Sequence, residues 1–142
     1  VRAITDDARK KGKTLVIGTN DAGLAEAACT HAAFLADGRV LYEGTVEALR
    51  LGYDPVELVV RGSRLDELSE RLGPLLPGYV TAREGDGLLI INRSAGPSPA
   101  GYVHEKIIET GLVPEAIELN PKTVRNAYRE LLRLHDIRNQ LS

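Results

Sequence analysis

The sequence predicts an α/β segment followed by a small α+β domain, and three observations carry that prediction. A short apolar run at 14–17, TLVI, leads through Thr19-Asn20-Asp21 into an alanine-rich stretch. An Asp37-Gly38 step then separates two apolar runs, the strongest short-range signal for a hairpin. From residue 56 onward, alternation, capped helical patterns and turn residues succeed one another as strand, helix, strand, strand, helix, strand, with a helix appended.

Taken in order, residues 4–11 form a helical pattern with Ile4 and Ala8 four apart and Gly12 as its stop. Arg9, Lys10 and Lys11 fall at its C-terminal end, where positive charge complements the helix dipole; a solvated helix end accounts for them. The run at 14–17, rich in Val, Ile and Thr, reads as a strand buried on both faces. Thr19, Asn20 and Asp21 can each cap a helix by accepting a backbone N–H. The helix follows at 22–29, with Leu24, Ala27 and Ala28 at helical spacing. Residues 32–36 and 39–42 are the arms of the hairpin. Thr45 then caps a short turn at 46–50, with Ala48 and Leu49 facing inward. Leu51-Gly52-Tyr53-Asp54-Pro55 keeps no period, so a boundary between units 1–53 and 54–142 is placed there.

In the second unit Val56, Leu58 and Val60 alternate with Glu57 and Val59 as a strand. Ser63-Arg64-Leu65-Asp66 is an S-x-x-D helix start, and Leu65, Leu68 and Leu72 share one face of a helix stopping at Gly73-Pro74. Strands at 79–83 and 88–92 flank Glu84-Gly85-Asp86-Gly87, a second hairpin. Ser98-Pro99 reads as an N-cap with Pro at the first helical position, followed by an inner face of Tyr102 or Val103 with Ile107 and a stop at Gly111. A fourth strand spans 113–119. Asn120-Pro121 opens a last helix lined by Val124, Tyr128, Leu131 and Leu132 and running to about His135. This element order is the split βαβ, ferredoxin-like arrangement, in which right-handed crossovers put both inner helices on one face of a four-stranded antiparallel sheet.

Composition narrows the function classes. The chain has 142 residues, with 18 Lys and Arg against 20 Asp and Glu, so no general affinity for polyanions is expected. One cysteine excludes an internal disulfide and fits a reducing compartment. No apolar run approaches the roughly 18–20 residues that span a bilayer, and no signal-like segment starts the sequence. The opening Val1-Arg2-Ala3-Ile4 reads as the middle of a helix, and hence as a piece of a longer protein. There is no G-x-x-x-x-G-K-[ST] phosphate loop, and Glu84-Gly85-Asp86-Gly87 lacks the Lys and hydroxyl that hold phosphate and Mg²⁺.

The order of pieces in 13–45 resembles the C-terminal end of an ATP-binding cassette (ABC) ATPase subunit, of the kind found in drug, sodium and polysaccharide exporters. The resemblance is carried by Gly18-Thr19-Asn20, by Ala25-Glu26-Ala27-Ala28-Cys29, by Ala33 through Val40 around Asp37-Gly38, and by Tyr42-Glu43-Gly44-Thr45. The helix at 4–11 matches the one between the family's catalytic carboxylate and its switch strand. Thr123-Val124-Arg125-Asn126-Ala127-Tyr128 is similar to the hydroxyl–aliphatic–aromatic pattern near the end of such subunits, with Arg125-Asn126 in place of an acidic pair. Under this resemblance, 1–53 is the end of a nucleotide-binding domain lacking Walker A, signature and Walker B, and 54–142 is an accessory domain. The family's switch histidine falls on Asn20, which can donate to a phosphate oxygen but cannot shuttle a proton, so turnover is expected to be weakened. The family's Asp-Arg pair falls on Thr30-His31; His31 itself reads as a polar residue closing a helix.

What the resemblance implies is a cytoplasmic ATPase subunit, peripheral at the inner face of the membrane through a permease. Its partners would be a second ABC ATPase subunit and that integral membrane permease. ATP and Mg would serve the parent protein; the 142-residue chain alone would bind no cofactor and hydrolyse nothing. No catalytic residue and no metal ligand set is singled out: His31, His104 and His135 are far apart, and His104 reads as a surface residue. Cys29 reads as a small buried residue, and Ser63, Ser94 and Ser98 as caps and loop residues. Arg125, Arg129 and Arg133, four apart, share a helix face that is either solvated or docks on an acidic partner surface or anionic lipid. Nucleic acid is not expected, because the sheet lacks aromatic stacking pairs. The alternative function is a ligand-sensing, dimerising ferredoxin-like module, with Gly62-Ser63 or Gly111 at its pocket.

Overall fold

The computed structural model describes residues 10–12 and 14–141. The helix expected at 4–11 therefore lies, but for Lys10 and Lys11, outside the described residues. Eleven elements follow: α1 (Ala22–Ala28), β1 (His31–Ala36), β2 (Arg39–Thr45), α2 (Val46–Tyr53), β3 (Val56–Arg61), α3 (Leu65–Leu75), β4 (Tyr79–Glu84), β5 (Gly87–Asn92), α4 (Tyr102–Glu109), β6 (Ala116–Leu119) and α5 (Val124–Gln140). They divide into two compact units, and the division is not the linear one. Pro55–Pro121 forms one unit, while the stretch from Lys122 onward belongs with the residues up to Asp54.

In the first unit, β1 and β2 pair antiparallel through a turn in which Asp37 and Gly38 both have positive φ. Along β1, Ala32 and Phe34 turn toward the packed side, where they meet Val46 and Leu49 of α2 and Val124, Ala127 and Leu131 of α5. Phe34 and Tyr128 contact edge to face at 4.9 Å between centroids. Thr45 caps α2 by accepting from Ala48 N at 3.1 Å, as its sequence predicts. α5 starts not at Asn120-Pro121 but at Thr123, which accepts from Asn126 N at 3.1 Å. The buried Asp54 carboxylate holds the same end, accepting from Thr123 N at 2.7 Å and Asn126 Nδ2 at 3.2 Å. α5 joins this unit because its apolar face is the cover for the hairpin and α2.

The expected buried strand at 14–17 is the main departure. No strand forms there, and Val16 is 89 % and Leu15 43 % exposed. A buried strand needs backbone partners on its edges and apolar cover on its faces. Among the described residues no strand pairs with this run, and Val16 in particular stands uncovered.

In the second unit the sheet order is β4-β5-β3-β6, every pair antiparallel. Leu58 and Val60 of β3 and Leu88 and Ile90 of β5 pack against Leu65, Leu68 and Leu72 of α3 and Val103 and Ile107 of α4. This is an α+β unit, compatible with the ferredoxin-like arrangement. The register slips between Val56 and Leu58, so Val56 joins Val59, Leu89 and Ile91 in a cluster on the opposite face.

Three local starts and stops differ from the sequence reading. Ser63 does not cap α3, because Arg64, in left-handed conformation at φ 59°, is the N-cap and makes no side-chain cap. Asp66 and Glu67 favour the start instead, by their charge in the first turn. α3 also runs through Gly73-Pro74 to Leu75, since a proline in the last turn forfeits only one backbone bond. α4 begins at Tyr102 behind Gly101 rather than at Pro99, because Ser98 is engaged elsewhere.

Candidate functional site

The cavity that combines sequence motif and geometry lies in the first unit. A groove of about 880 Å³ runs between residues 14–20 and strand β1, floored by α1 and reached by Tyr128. Among the described residues, β1 pairs with β2 alone, so its backbone on the groove side has no strand partner. Leu15 and Val16 on one wall and Leu35 on the other, 65 % exposed, make the walls apolar.

Asn20 stands on the rim of this groove, at the junction of the apolar run and α1. The turn that presents it is built from its neighbours. Thr19 Oγ1 accepts from Asp21 N at 3.0 Å, and Asp21 Oδ1 accepts from Gly23 N at 2.9 Å and Leu24 N at 3.2 Å. Asp21 is thus the cap among the three candidates, which leaves the exposed Asn20 amide out of the capping bonds. His31 lines the same groove, its Nδ1 3.1 Å from Thr30 Oγ1. The sequence reading takes His31 as a polar residue closing a helix; it is instead the first residue of β1, and it lines one groove with Asn20. Cys29, half-buried, also lines the groove.

The arginines of α5 are not equivalent. Arg125 and Arg129 are exposed. Arg133 is engaged by Glu130, Nη2 to Oε1 at 2.6 Å and Nε to Oε2 at 3.2 Å, and these hydrogen bonds hold its pKa above the ordinary arginine value.

Other clusters were not legible as such. Glu57 of β3 accepts from Ser98 Oγ at 2.7 and 2.9 Å and from Asn92 Nδ2 at 3.0 Å, while the Tyr79 hydroxyl bonds Ser98. Both carboxylate oxygens are spent on holding the loop that follows β5, so the Ser98–Glu57 contact is an anchor. In the first unit, buried His135 Nε2 lies 2.8 Å from Asp37 Oδ2 and ties α5 to the hairpin turn. A Cβ on Gly62 would sit 2.9 Å from Glu115 N, and Gly111 ends α4 at φ +79°.

Among the described residues no group of three or more His, Cys, Asp or Glu is placed to hold a metal ion. No described helix is long and apolar enough to cross a membrane. No protein-family model matches the chain, and no curated protein matches it.

Proposed function

We propose that this chain is the C-terminal portion of the ATP-binding subunit of an ABC transporter, in which Asn20 occupies the switch position facing the nucleotide. The observation that carries this reading is the groove with Asn20 on its rim, between an apolar run and an unpaired strand edge. In a nucleotide-binding domain both would belong to one larger sheet, and the residue after the run would sit where the sheet meets the γ-phosphate. The exposure of Val16, Leu35 and Val40 supports it, because a doubly covered α/β sheet buries such residues under helices on both faces.

Mechanistically, the amide of Asn20 would donate a hydrogen bond to a phosphate oxygen and orient it without accepting a proton. The second unit would act as the accessory domain, stabilising the ATPase dimer or contacting the permease. The α+β arrangement of this unit, compatible with a ferredoxin-like one, also supports the alternative of an effector-sensing dimerisation module, for which a ligand-induced rise in melting temperature is the readout. The decisive experiment measures ATP turnover in the complete ATP-binding subunit carrying this segment, with Asn20 and with Asn20→His. The reading predicts a higher rate for Asn20→His, by about tenfold or more if the histidine restores general acid–base chemistry. An unchanged rate contradicts it.

A further inference from the structure

We infer that the groove along β1 is a slot for one added β-strand, taken by an extended, uncharged aliphatic segment of a partner polypeptide. Among the described residues β1 pairs with β2 alone. In an antiparallel pair every second residue aims its N–H and C=O away from the partner strand. An edge of that kind takes up another strand through main-chain hydrogen bonds.

The size of the groove fits one strand. β1 is six residues long. At about 3.3 Å per residue, about 4.8 Å between strands and about 10 Å between packed layers, a strand of that length takes up about 950 Å³. The groove holds about 880 Å³. A hairpin, or a second copy entering with both β1 and β2, would need about twice the width.

The lining selects the chemistry. No Lys, Arg or Glu is among the described residues that line the groove. Asp21 lines it, but its Oδ1 is committed to the cap of α1, and His31 Nδ1 meets Thr30 Oγ1. A charged side chain entering with the occupant would therefore lose water without a matched ion pair. The floor is made of small side chains, Ala22, Ala25 and Ala28 of α1 followed by Cys29. Small floor residues leave room for branched ones opposite. Alternate residues of a strand share a face, so the occupant carries Val or Ile at every second position. Its entry would also cover Leu15, Val16 and Leu35 on the walls. This inference stands on the edge, volume and lining of the groove and does not depend on the ATPase reading. Asn20 is on the rim, so peptide capture and ATP turnover can succeed or fail separately.

The test titrates the full chain, kept dilute, into a labelled peptide of the length of β1, capped at both ends, in which Val or Ile alternates with Thr. Beside it run two forms N-methylated at alternate residues, one in each phase, and a form with Lys in place of each Val and Ile. Cys29, the sole cysteine and a groove residue, supplies a local readout through its rate of alkylation. The aliphatic peptide should bind and slow that alkylation. Binding should weaken roughly tenfold or more in the Lys form, in at least one N-methylated form, and in the Leu35→Lys chain. The peptide comparisons use the parent chain, so they decide the matter whether or not that variant folds. No binding, binding that leaves Cys29 as reactive as before, or equal binding of the aliphatic and both N-methylated peptides would overturn the proposal. Protection of Cys29 that rises with the concentration of the chain alone, without peptide binding, would assign the groove to a second copy instead.

Discussion

Single side chains explain most of the local geometry, and two of them give sharp expectations. Asp54 is buried, and its carboxylate holds both Thr123 N and the Asn126 side chain at the start of α5. Asp54→Ala removes that acceptor and should cost about 1–2 kcal/mol in a urea titration; an unchanged midpoint would mean that Thr123 alone suffices as cap. Glu67 gives a pH-dependent expectation. Hydrogen bonding from Arg64, aided by the charges of Arg64 and Arg71 and opposed by desolvation, holds its carboxyl below the ordinary range. A carboxyl with a depressed folded-state pKa stabilises above its unfolded pKa, and that contribution disappears as pH falls through the folded value. Glu67→Gln should therefore be slightly less stable at neutral pH, and the difference should close in acid, below the ordinary carboxylate range. A deficit that persists unchanged in acid would assign the effect to something other than ionisation. The effect stays small because these side chains are largely in water.

At the scale of elements, the strands and helices were legible wherever apolar periodicity and packing agree. Leu65, Leu68 and Leu72 of α3 and the Asp37-Gly38 turn are such places. What could not be read locally was decided by long-range partners. Ser98 looked like a helix cap because it precedes a proline, but Glu57, remote in sequence, takes its hydroxyl. The run at 14–17 has strand composition, yet a strand exists only with neighbours. Asn20 was singled out in the sequence only through a resemblance, while its lining one groove with His31 is a property of the fold. The bulge at Val56–Leu58 is likewise a property of the pairing and not of either strand alone. Close approach also governs Gly62, where the chain leaves β3 at φ +147° against Glu115 N. Gly62→Ala should destabilise the second unit by about 1–3 kcal/mol, from backbone strain and the Cβ contact together. Thermal unfolding checks it, and a melting temperature equal to the parent's would show that Glu115 moves freely.

For the molecule as a whole, the central observation is that the second unit is inserted into the first. Its residues, Pro55–Pro121, interrupt a unit that α5 completes. Within that first unit the hairpin is packed on one side and leaves Leu35 and Val40 exposed on β1 and β2, beside the exposed Val16. Among the described residues this sheet has two strands, an edge with no strand partner and uncovered apolar residues, and layers of that kind associate. The claim that this sheet is built to continue into a larger one is tested most directly by light scattering on the chain over a concentration series. The same series is run on a variant carrying Val16→Asp and Leu35→Asp. The account predicts self-association that grows with concentration in the parent chain and is lost in the variant. A clean monomer at high concentration, or association that the two substitutions leave untouched, would contradict it.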